Sequence, residues 1–176
     1  MDKSNDRLDW WRLAADQWLH NARGGFVELY GEADDDFCGL LTKVMDGWQH
    51  VEMPEQITVQ VAKCGSGAAQ SWHIARRLAK FANVTTIADY EAGSAGLWLF
   101  MAGAKRICRQ RTEFLFHGNL YRWMATGPSD EQRAQWMAER TTADNAYWLG
   151  WAQYSGPFTF DAIMAMQLGV ATEIGG

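Results

Sequence analysis

Residues 93–96 read Gly-Ser-Ala-Gly and stand where an extended stretch, 83–90, gives way to a small apolar run. The first backbone N–H groups of a helix have no internal partner and point outward. The helix dipole adds positive potential at the same end. Ser94 at such a junction is placed to attack a carbonyl carbon, and the Ala95 N–H to hold the oxyanion that forms. Gly93 and Gly96 keep side chains out of the approach. A tight turn with a serine cap would explain the same four residues without chemistry. A second loop, Lys-Cys-Gly-Ser-Gly at 63–67, also leaves a strand and enters a helix. In a parallel sheet both loops emerge at the carboxyl ends of the strands, where α/β sites lie. The Gly65 N–H is therefore the candidate second oxyanion donor. A phosphate loop is the alternative, but no P-loop Lys-Ser/Thr pair follows.

Acyl transfer by serine needs a base. Of His20, His50, His73 and His117, only His117 follows the nucleophile in an extended segment that ends in a loop, Glu-Phe-Leu-Phe-His-Gly. His73 lies mid-helix beside Trp72 and reads as surface or packing. His20 and His50 sit near helix ends, where the dipole favours them.

The elements that must carry these residues alternate. Leu8, Trp11, Ala15, Trp18 and Leu19 recur at helical spacing, so residues 1–25 read as an amphipathic helix and 26–176 as the core of a single domain. Strands are expected at 26–31, 57–65, 83–90, 105–109 and 112–118, and helices at 32–51, 66–82 and 93–104. One long helix over 128–155, capped by Ser129, and a closing helix over 159–169 complete the chain. Repeated βαβ units of this kind predict an α/β fold with a mostly parallel sheet.

The totals exclude several functions. A net charge of −5 argues against nucleic acid as a partner. Cys38, Cys64 and Cys108 are odd in number and widely spaced, so neither a disulfide framework nor a zinc site is suggested. No metal or cofactor is implied. No run is long and apolar enough for a membrane span, and a cytoplasmic setting is expected. The ten tryptophans suit core positions and contacts between subunits.

Several segments together resemble the ClpP family, the proteolytic subunit of the Clp protease, within the ClpP/crotonase superfamily. They are Val-Glu-Leu-Tyr-Gly-Glu-Ala-Asp-Asp at 27–35, the strand and glycine turn at 57–65, the nucleophile segment 84–106, the histidine strand 112–118 and the closing helix 162–174. The likeness spans about 26 to 174. It implies a serine endopeptidase acting on peptides or unfolded proteins, in a homo-oligomeric ring. Ser94 falls on the nucleophile, His117 on the base, and Gly65 and Ala95 on the oxyanion-hole amides. The family's Ser-Pro-Gly-Gly turn is Ala62-Lys63-Cys64-Gly65 here. Pro157 stands about where the triad aspartate would be, and Asp161 is the nearest acid; an N-cap explains Asp161 equally. The loops that meet an AAA+ unfoldase in this family have no counterpart. Two alternatives follow: a non-catalytic ring subunit without a complete triad, and a crotonase-like acyl-CoA enzyme using the same two amides.

Overall fold

A computed structural model describes residues 15–32, 35–65, 68–117, 127–154 and 156–175. The chain begins with α1 (15–23), β1 (Phe26–Glu32), α2 (Asp35–His50), β2 (Ile57–Gly65), α3 (Ala68–Leu78) and β3 (Val84–Ala88). It continues through β4 (Glu91–Gly93), α4 (Ala95–Met101), β5 (Lys105–Arg109), β6 (Glu113–His117), α5 (Asp130–Ala138) and α6 (Asn145–Gln153). It closes with β7 (Pro157–Asp161), α7 (Ala162–Leu168) and β8 (Glu173–Gly175). The fold is mixed α/β with a mostly parallel sheet, as the alternation of elements predicts.

The sheet divides at β2, and that division makes the site. β1 pairs with β2 in parallel, and β3 runs beside the first part of β2, with Ile57 opposite Val84. The next strand, β4, meets β2 only at its end, with Cys64 opposite Ala92. From there the two branches part. β3 leads to β5 and then β8, while β4 leads to β6 and β7, with β7 the one antiparallel member among the described strands.

Alternation of side chains fixes which face is packed. Ile57, Val59 and Val61 are fully buried. On the other branch Phe114 and Phe116 of β6 pair with Phe160 and Phe158 of β7 on the core side. Leu115, His117, Thr159 and Pro157 share the opposite face. Buried aromatic rings chain the helices to this branch. Trp72 meets Trp98 edge-on at 5.3 Å, Trp98 meets Phe116 at 5.7 Å, and Phe116 meets Trp148 at 5.5 Å. Trp48, Trp72, Trp98, Trp136 and Trp148 are core residues, so packing within the chain accounts for these five.

Arg106 ties the turn after α4 to the stretch after α5 and the end of α7. Its buried guanidinium donates to the carbonyls of Gly103, Arg140, Gly169 and Val170. Gly169 adopts the left-handed conformation that ends α7 (φ 72°). Gly103 has no room for a side chain, since a Cβ there would lie 2.4 Å from Thr86 Oγ1.

Four expectations change. The strand expected at 83–90 stops at Ala88, and Glu91–Gly93 form a separate strand on the other branch. The expected long helix over 128–155 is two helices. Thr141 Oγ1 donates to the Met137 carbonyl and receives the Trp148 indole, and Asp144 caps α6 through the Tyr147 amide (2.8 Å). A new N-cap starts a new helix there. Residues 157–161 are β7, so the closing helix begins at Ala162 and not near 159. Finally, residues 173–175 form β8 against β5. Residues 1–14 of the expected N-terminal helix lie outside the described residues.

Candidate active site

Ser94 sits between the last residue of β4 and the first of α4. Its backbone is φ 52°, ψ −114°, the one positive φ on a non-glycine among the described residues. Such a conformation costs on the order of 1–3 kcal/mol and persists only where the surroundings impose it. They do so from both sides. The Ser94 amide donates to the Leu115 carbonyl of β6 (3.1 Å), and its carbonyl receives the Trp98 amide one turn into α4 (3.3 Å). All seven residues of α4 are buried, so the turn cannot relax without disturbing the core. A Cβ on Gly93 would stand 3.1 Å from Leu115 Cβ, so glycine is what lets β4 lie close against β6. As the residue flanking α4, Ser94 makes no side-chain cap bond. The simple capping explanation of this serine therefore fails. A sharp strand-to-helix turn that presents a serine is the geometry of a nucleophile elbow.

The other expected residues gather around this turn through the strand registers. Cys64 of β2 is opposite Ala92 of β4, so β2 ends, at Gly65, alongside the strand that leads into Ser94. Ala95 opens α4 immediately after the serine. His117 ends β6 two residues beyond Leu115, whose carbonyl holds the Ser94 amide, or about 7 Å further along the strand. Ser94 and His117 are both half-buried.

Asp161 is not brought to His117. In the antiparallel pair of β6 and β7, Pro157 faces His117, and Asp161 faces Glu113 at the other end of the strand. Four residues of strand separate the two, about 14 Å. The Asp161 carboxylate accepts the Met164 amide at 2.8 Å and is the N-cap of α7. This is the capping role the sequence also allowed.

Burial lowers the proton affinity of His117 below that of an ordinary histidine, and the Arg133 guanidinium lowers it further. Near neutral pH the imidazole is thus held in its basic form, able to accept a proton. Arg133 carried no signal in the sequence, where it reads as one charge on a polar helix. In the fold it is fully buried and donates to the His117 carbonyl. Among the described residues, no group of three or more histidine, cysteine or acidic side chains could hold a metal. No described helix is long and apolar enough to cross a membrane.

The arrangement defines a recognisable class: the chain has a ClpP-like fold. Solved structures that resemble it include ClpP1 from Listeria monocytogenes, with a TM-score of 0.71 and 18% identity, over 92% of this chain and 95% of that one. A mutant of ClpP1 from Listeria monocytogenes matches with a TM-score of 0.67 and 16% identity, over 88% and 92% of the two chains. No family model and no curated protein matches the sequence.

Proposed function

We propose that this protein is a ClpP-like serine peptidase that uses a Ser94–His117 dyad. Ser94 attacks the scissile carbonyl and His117 takes its proton. The Gly65 and Ala95 amides receive the oxyanion, and His117 then returns the proton to the leaving amine. The observation that carries this reading is the strained backbone of Ser94, held between β6 and α4. A serine needed only for the turn would not require that conformation, which glycine adopts freely. The substrate class is peptide or unfolded protein, and the working form is a homo-oligomeric ring, in keeping with the fold.

A second reading has its own observation. Pro157 stands opposite His117, and Asp161 is spent on α7. A histidine without an orienting acid suits a non-catalytic ring subunit. Hydrolysis of a fluorogenic peptide, compared between wild type and Ser94→Ala, separates the two. The dyad predicts measurable turnover that falls at least about 10³-fold in the variant. Equal rates would overturn it.

A further inference from the structure

The end of β6 is gripped from the core side. Arg133, one turn into α5, is completely buried, and its Nη1 donates to the main-chain carbonyl of His117. Its Nη2 is bonded to the Asp130 carboxylate, and its guanidinium carbon lies 5.9 Å from the centre of the Phe116 ring. The turn that presents this pair is itself fixed. The Ser129 hydroxyl accepts the Gln132 amide (3.2 Å), and the Gln132 side chain accepts the Ser129 amide (2.9 Å). That reciprocal capping box sets where α5 starts and hence where Arg133 points.

Anchoring a helix to a sheet does not need a buried charge, and an apolar side chain of similar size does it at least as well. What the charge adds is direction and field. The direction is a hydrogen bond to the one residue of β6 that the dyad uses. The field comes from a cation held at the main chain of the residue that carries the imidazole. Pro157 and Thr159 face it from β7, and the described α4 and α6 carry no charged residue. Glu113 is four residues back along the same face, opposite Asp161, and Glu91 lies on β4 in register with Glu113.

We propose that Arg133, held by Asp130, is a positioning residue for His117: it fixes the main chain that carries the imidazole and sets the electrostatic field in which the ring works. The proposal rests on the dyad reading for its relevance to catalysis, but its test does not depend on turnover. A guanidinium behind the ring disfavours the imidazolium, and Asp130 partly cancels that effect. Removing either partner must therefore move the histidine in opposite directions.

The experiment is a histidine NMR titration of the full-length chain, with His117 assigned by loss of its signal in His117→Gln. Arg133→Met should raise the His117 titration midpoint, and Asp130→Asn should lower it, each by roughly half a pH unit or more. Arg133→Lys keeps the charge and should restore the wild-type midpoint. A merely structural role cannot give shifts of opposite sign. No shift, or shifts of the same sign, in folded variants would overturn the proposal. Should Arg133→Met fail to fold, Asp130→Asn and Arg133→Lys decide it: a lowered midpoint in the first with a preserved one in the second supports the proposal, and any other pair sinks it. If the midpoints move as expected while Ser94 proves inert, the dyad reading fails and the positioning role stands.

Discussion

Asp161 gives the sharpest contrast among single residues. As the N-cap of α7 it contributes about 1 kcal/mol, so Asp161→Asn, which keeps an acceptor, should leave both stability and turnover nearly unchanged. Asp161→Ala should lose about 1 kcal/mol in urea unfolding with kcat within a few-fold of wild type. A loss of turnover of several hundred-fold in both variants would restore it to a catalytic role. His117 carries a pH signature. Its basic form persists below the ordinary histidine value of 6.5, so the acid limb of kcat/KM should lie below that pH. Folded His117 binds its proton less readily than the unfolded chain does. Its contribution to stability is therefore complete above about pH 6.5 and is lost as pH falls through the lowered folded value. An acid limb above 6.5 would contradict the burial and charge that surround the ring.

At the scale of elements, the fold depends on junctions more than on the strands themselves. Arg106 holds four carbonyls from three separate segments, and truncating it takes from each the bond the guanidinium gives. Arg106→Met should cost at least about 3 kcal/mol, at roughly 1 kcal/mol per lost bond, measurable by chemical unfolding. The junctions also explain what could be read in advance. The β2, β3, β5 and β6 strands and helices α2 to α4 show their periods in the sequence, because each buries a full face. The β7 strand does not, since Pro157 opens it and only Phe158 and Phe160 alternate before the α7 cap. Proline is tolerated there because it is the first residue of an edge strand. The break between α5 and α6 depends on Thr141 meeting Trp148, a contact that local propensity cannot express. The site divides in the same way. Ser94, Ala95, Gly65 and His117 are visible in the sequence because each stands at or next to the end of a strand or the start of a helix. Sequence order alone points to Asp161, and register along β7 carries it away from His117. Arg133 acts across sixteen residues of sequence, through a carbonyl that no residue type reveals.

For the whole molecule, the ClpP-like fold leads us to expect a ring, so light scattering should give a mass that is a multiple of 19.9 kDa at micromolar concentration. A monomer would contradict that expectation while leaving the chemistry of Ser94 untouched. The chemistry has its own direct test, independent of the natural substrate. The intact protein is treated with a fluorophosphonate probe, digested, and the modified peptide is identified by mass spectrometry. The account predicts covalent labelling on Ser94, lost in Ser94→Ala and strongly slowed in His117→Ala. A wild-type protein that stays unlabelled, or is labelled equally in Ser94→Ala, would contradict it.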